Sequence, residues 1–221
     1  MTCVVHPVQE LLAAVTAGRM PLADGAVEVH PQPSGPSAGV LAFTGHHVVA
    51  ADVNPDWVHR QLDGDDLGAL MKPPFLNSLA ELLRRPAGAL DAVLVASGRA
   101  GRLPLDLVPL DDEHPRLTRA QRYRTDIQAY VVDAIPQAMV LVGRGLAGRW
   151  EIAFEVPPAD SGRGLGRVLA DAARCLVPAG EPVWAQVSPG NAASLRAVLA
   201  AGYVPVGSEV LFPGRIAPGS P

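Results

Sequence analysis

Residues 150–176 read WEIAFEVPPADSGRGLGRVLADAARCL, a run that changes its grammar twice. Trp150–Val156 carries the aromatic, apolar and β-branched residues of a strand. Pro157 and Pro158 stop it. After Gly162-Arg163-Gly164-Leu165-Gly166 the period changes: Leu165, Val168, Leu169, Ala172, Ala173 and Leu176 recur at steps of three and four. That spacing predicts one face of a helix over Arg163–Leu176. A strand that passes through glycines into a helix start leaves several backbone N–H groups without partners. They point one way, at the positive end of the helix dipole, where an anion is stabilised.

Outward from this stretch, the chain carries the composition of a globular protein. Of its 221 residues 48% are apolar and 18% charged, enough to bury one large core or two small ones. The net charge of −4 argues against a general nucleic-acid partner, so none is expected. Lys72 is the sole lysine, and the remaining cations are arginines. Cys3 and Cys175 are far apart and match no metal-ligand spacing; Cys175, beside the apolar stripe of the predicted helix, is expected to be buried. With no signal-like N-terminus and no apolar run long enough to span a bilayer, the sequence predicts a cytoplasmic protein without a membrane partner.

In chain order, Val8–Ala17 predicts a helix ended by Gly18, and Val27–His30 a short strand. Gly39–Phe43 and His47–Val53, joined by Thr44-Gly45-His46, predict a hairpin that leaves His46 and His47 exposed. Asn54 or Asp56 caps a helix near Trp57–Leu62, and Leu76, Leu79, Leu82 and Leu83 mark another. Ala89–Ala96 is a buried strand, and Leu103–Leu110 an edge strand limited by Pro104 and Pro109. From about Asp111 the character changes. Asp111–Thr125 is charged and partly helical; Ile127–Val132, Ala138–Val142 and Trp150–Val156 form a three-stranded meander feeding the glycine loop. Pro182–Val187 is a further strand. Asn191 is an apt N-cap for a helix through Ala201, with Leu195, Val198 and Leu199 as its apolar face and Gly202 closing it. Tyr203–Phe212 gives one or two strands around Gly207, and Pro213–Pro221 a frayed tail. The expected division is 1–110 and 111–221.

Two common phosphate loops fail on spacing. A dinucleotide fingerprint needs Gly-x-Gly-x-x-Gly and an acid at a strand end about 20 residues on, whereas these glycines alternate and Glu181 precedes a strand. A Walker loop needs Gly-Lys-Ser/Thr, and the loop has no lysine. What remains is strand, glycine loop, helix, strand and an asparagine-capped helix. This order resembles the GNAT superfamily of CoA-dependent N-acyltransferases. Its pyrophosphate motif, Gln/Arg-x-x-Gly-x-Gly/Ala, is matched by Gly164 and Gly166 after a strand ending at Val156, with Ser161 where the family has Gln or Arg. Its later motif, Asn followed eleven residues on by Gly-Phe, is matched by Asn191 and Gly202-Tyr203. The resemblance covers about residues 111–212.

The resemblance implies an α/β fold, a mixed α+β sheet of GNAT-like acyl-CoA N-acyltransferase type. It also implies acetyl-CoA as co-substrate with no metal. Backbone N–H groups from Arg163 through Arg167, including Gly164, Leu165 and Gly166, would hold the diphosphate, with Ser161, Gly162, Asn191 and Ser194 completing the site. Val156 would pair with the pantetheine arm as an added strand does. The acceptor would be the amine of a small molecule or a peptide amino terminus, attacking directly in a ternary complex. Attack needs a neutral amine, hence a base. Glu151, then Glu155, are the candidates on the strand that ends beside the thioester; each has the alternative of pairing with an arginine such as Arg144 or Arg149. The family's acid, a tyrosine seven residues after the asparagine, is Val198 here, and Tyr203 reads as a core aromatic. A thiol with pKa near ~8.5 can still leave as thiolate. Arg116, Arg119, Arg122 and Arg124 are either a solvated helix face or a lure for an acidic substrate or the CoA phosphate. The alternative to an enzyme is a non-catalytic acyl-CoA sensor. Residues 27–96 would be a degenerate second copy of the fold, a lid, or a module that makes a homodimer.

Overall fold

A computed structural model describes residues 5–62 and 66–214. Cys3 and the tail beyond Gly214 lie outside them. Ten strands form one mixed sheet in the order β1-β3-β2-β10-β4-β9-β8-β7-β6-β5. They are β1 (Val27–His30), β2 (Ser37–Phe43), β3 (His46–Ala50), β4 (Leu90–Ser97), β5 (Leu107–Pro109), β6 (Thr125–Val132), β7 (Ile135–Arg144), β8 (Trp150–Glu155), β9 (Pro182–Val187) and β10 (Val204–Pro213). The helices are α1 (Pro7–Thr16), α2 (Pro55–Arg60), α3 (Pro73–Leu83), α4 (Pro115–Ala120), α5 (Leu165–Cys175) and α6 (Ala192–Ala200). The expected meander is present as antiparallel β6–β7–β8. Residues 27–97 extend the same sheet, and β10 inserts between β2 and β4. β10 is one strand whose register shifts between Pro205 and Gly207. Gly207 is required there, because a Cβ would sit 2.5 Å from the Ala42 carbonyl oxygen.

Strand alternation sorts side chains onto two faces. One face carries Leu94, Ile152, Ala185 and Val187, packed with α5 and α6. On the same side Val40, Val49, Val210 and Phe212 pack with α2 and α3. The opposite face carries Leu41, Val48, Val93 and Trp184 beneath Val8, Leu12 and Val15 of α1. There too, Met139 and Leu141 meet Ala120 of α4.

Local chemistry sets the helix ends. Asn54 accepts from the Asp56 N–H at 2.8 Å, and Asn191 accepts from the Ser194 N–H at 3.1 Å. Gly202, at φ 85°, follows α6.

Three expectations change. His46 and His47 are 5% and 6% exposed, because residues 23–26 fold across their hairpin: the Gly25 N–H donates to the Gly45 carbonyl at 2.8 Å. His46 then lies between Asp24 at 3.1 Å and Glu28 at 3.2 Å. Cys175 is half-buried, at the end of α5 rather than under it. Leu199 is 43% exposed, since α6 turns Val198 inward and leaves Leu199 facing solvent.

Candidate active site

β8 and β9 run parallel, but only Trp150, Glu151 and Ile152 pair, with Val183, Trp184 and Ala185. Beyond Ile152 the two strands part. A cleft of about 1040 Å³ runs through this opening, from the glycine loop on one face of the sheet to α4 on the other. Pro157 helps end β8 by supplying no ladder donor, and Pro158 starts a short turn through Asp160.

At the cradle end, Gly162 (φ 77°) and Gly164 (φ 86°) adopt the left-handed conformation that favours glycine. Nothing lies within 4 Å of where their Cβ atoms would be. Among the described residues the N–H groups of Gly162, Arg163, Gly164, Leu165 and Gly166 have no backbone acceptor, and α5 has no side-chain cap. This shifts the expected run by one residue, because the Arg167 N–H already donates to the Gly164 carbonyl at 3.1 Å. Gly166 has a different reason to be glycine: a Cβ would lie 3.2 Å from Ala197 Cβ and close to Phe154 and Val156. It sets how tightly α5, α6 and the end of β8 pack. Val156, Ser161, Arg167, Asn191 and Ser194 all line the cleft. Asn191 acts through its cap, which fixes the start of α6, and that cap occupies the Ser194 N–H.

The two candidate bases part company. Glu155 lines the cleft, paired with Arg116 Nε at 2.6 Å. Glu151 does not line it. It is fully buried, with Oε1 2.9 Å from Arg149 Nε and Oε2 3.0 Å from Arg124 Nε. The Leu146 N–H donates to Oε1 at 3.3 Å. Gly145 is glycine to admit this carboxylate, since a Cβ there would be 2.1 Å from its carbon. Glu151 thus takes the arginine-paired alternative, held between two guanidiniums and away from the cleft that Glu155 lines. Arg144, the alternative partner, instead stacks over Trp150 at 3.8 Å.

Arg149 also reaches Glu209 at 2.5 Å. Burial pulls its guanidinium pKa down, but Glu209 and Glu151 outweigh that and the net shift is upward. Arg124 closes the network. It donates to Gln186 Oε1 at 3.0 Å and to the Ile152 carbonyl at 3.4 Å, stapling β8 to β9 where they diverge. The arginine run before β6 is therefore not merely a solvated face: Arg116, Arg119 and Arg124 line the cleft with Tyr123.

One cleft residue escaped the sequence reading. Asp91, on β4, stands directly opposite Glu209 on β10. It lines the cleft and makes no hydrogen bond or ion pair among the described residues. Burial pushes its carboxyl up to about 6, with Glu209 adding to the rise against the pull of Arg119 and Arg124. The network accounts for this: Glu209 and Glu151 already consume the charges of Arg149 and Arg124, leaving Asp91 as the surplus anion. An acid in a run such as Leu90-Asp91-Ala92-Val93, otherwise apolar and strand-like, is the only local sign of it.

Val198 is fully buried and apolar, and forms part of the cleft wall. Tyr203 is a core residue as expected: its hydroxyl donates to the Ala170 carbonyl at 3.1 Å, and burial raises its pKa.

No protein-family model matches the chain, and no curated protein does. Solved structures similar to it include an acetyltransferase of the GNAT family from Colwellia psychrerythraea, at 13% identity and TM-score 0.39, over 65% of this chain and 63% of that one. A GCN5-related N-acetyltransferase from Kribbella flavida matches at 16% and TM-score 0.37, over 65% and 64%. A functionally unknown conserved protein from Staphylococcus epidermidis matches at 16% and TM-score 0.40, over 66% and 68%. The match thus spans less than two thirds of the first two proteins. At this level no residue role carries over. Among the described residues no helix is long and apolar enough to cross a membrane.

Proposed function

We propose that the chain is an acyl-CoA-dependent N-acyltransferase, moving an acetyl group from acetyl-CoA to a primary amine in a ternary complex. The observation that carries this is the row of five N–H groups at Gly162–Gly166 without a partner among the described residues, opening into a cleft where two parallel strands part. Aligned N–H groups at a helix start accept a diphosphate, and the empty space around Gly162 and Gly164 lets it approach the backbone. The free edge beyond Ile152 offers an extended amide chain strand-like pairing along Ala153–Val156. The Gly164/Gly166 and Asn191/Gly202-Tyr203 motifs support the same reading.

The cleft then delivers a thioester through the sheet to the face that carries Glu155, Gln186 and Asp91. Gln186 Nε2 has no partner among the described residues and is a donor available to a carbonyl oxygen. Val198 offers no proton to the departing sulfur. Of the tyrosines only Tyr123 lines the cleft, and a thiolate can leave without help. The two parts of the chain divide the labour: residues beyond 111 hold the acyl donor, and residues 88–91 help to form the acceptor side.

Thermal shift with CoA and acetyl-CoA, followed by thiol release over an amine panel, tests the proposal. Stabilisation by both with release on some amine is expected. Stabilisation with no release on any amine would favour the non-catalytic acyl-CoA sensor, which the apolar Val198 also allows. No stabilisation by millimolar CoA would overturn both.

A further inference from the structure

The acceptor side has a charge pattern of its own. Arg116 is paired with Glu155, Arg124 with Glu151, and Arg149 with Glu151 and Glu209. Arg167 and Arg196, on α5 and α6, line the glycine-loop side of the cleft without an ion pair among the described residues, and two charges remain on the α4 side. Asp91 is an anion with no ion pair, and Arg119, on α4, is a cation with none among the described residues. Arg119 is near enough for its charge to be felt at Asp91, yet the two make no ion pair. Unlike charges that line one cleft without meeting are complementary to a molecule carrying both signs.

Resting on the acyltransferase reading, we propose that the acceptor is an amine that also bears a carboxylate, such as an α-amino acid. Asp91 receives its ammonium and takes a proton from it, and Arg119 holds its carboxylate. The geometry places this beside the opening: Ala92 pairs with Val187, so Asp91 flanks the end of β9, one strand from the gap between β8 and β9. The proton of the ammonium passes to a carboxylate oxygen of Asp91. The freed nitrogen lone pair bonds to the thioester carbonyl carbon, and the C–S bond breaks with its electrons on sulfur. The second proton shed by nitrogen ends on the thiolate, giving amide and free thiol, and Asp91 returns its proton to solvent.

The charged groups facing Asp91 are Glu209 on β10 and Arg119 and Arg124 from the α4 side. Burial, with Glu209 adding to it, pushes its carboxyl up to about 6, and so it serves as a base at neutral pH.

The experiment pairs acetyl-CoA with the standard amino acids and with their α-carboxamides, reading thiol release. At least one amino acid should exceed its amide by about tenfold or more in kcat/KM. Arg119→Gln should raise KM for that acid about tenfold at unchanged kcat and erase the preference. Asp91→Asn should lower kcat by about 100-fold and remove the loss of rate below pH ~6, with Asp91→Glu restoring part of it. Amides used as well as acids, an Arg119→Gln effect confined to acetyl-CoA, or no release with any acid while acetyl-CoA still raises the melting temperature would each overturn the proposal. Loss of that thermal shift would instead overturn the donor reading beneath it.

Discussion

Asp91 and Glu209 face each other directly across the ladder of β4 and β10, two carboxylates where like charges are unfavourable. Arg149 pairs with Glu209 at 2.5 Å, while Asp91 is half-buried without a partner among the described residues, and burial rather than Glu209 is the larger cause of its shift. Its carboxyl, ordinarily near 3.8, moves up to about 6.

The sign of the stability effect follows. A carboxyl whose pKa is raised on folding favours the native state while protonated, and that contribution is lost as pH rises from about 4 through 6. Asp91→Asn should therefore be more stable than wild type at pH 7–8, by of order 1–3 kcal/mol before screening. The gain should vanish below pH ~4. Urea denaturation across that range measures it, and an equal gain at every pH would contradict the assignment.

Glu151→Gln should destabilise by about 3–5 kcal/mol, because it leaves the positive charges of Arg124 and Arg149 with a single buried carboxylate, Glu209. The loss should appear in denaturation with or without substrate. A variant of normal stability and no activity would restore Glu151 as a base.

Gly164→Ala and Gly166→Val should fail differently. At Gly164 the side chain meets open space at φ 86°, so about 1–2 kcal/mol of backbone strain accompanies loss of the CoA-induced thermal shift. At Gly166 the added atoms press on Ala197 and Phe154, so overpacking of about 1–3 kcal/mol dominates. Chemical denaturation of both variants, with and without CoA, separates the two.

Arg124→Lys keeps the charge but loses the fork that joins Glu151, Gln186 and the Ile152 carbonyl. The strand opening should loosen, with faster amide exchange at Ile152 and Ala153 and weaker acetyl-CoA binding. Wild-type exchange at both amides would show that the staple is dispensable.

Much of this was legible in the chain itself. The glycine loop, the Asn191 cap and the strand at Pro182–Val187 rest on signals within a few residues: period, turn chemistry and capping. That Gly145 makes room for the Glu151 carboxylate has no local signal. What escaped depends on register between distant strands. That Asp91 meets Glu209 follows from where β10 inserts, and no local pattern encodes that pairing. Glu151 shares a strand face with Glu155, as alternation requires, but only tertiary packing buries one and opens the other to the cleft. His46 and His47 look like turn residues until residues 23–26 cover them.

The position of β10 also bears on how the protein is made. The last described strand lies mid-sheet, so β2 and β4 acquire their common neighbour only when residues 204–213 emerge from the ribosome. Until then a nascent chain presents two bare strand edges, the kind of surface that recruits other chains. It already holds the glycine loop and Asp91 but lacks Glu209 and Leu211. A polypeptide halted at residue 203 would possess most of the cleft-lining residues without the strand that brings β2 and β4 together, so assembly of the acceptor side awaits residues 204–213.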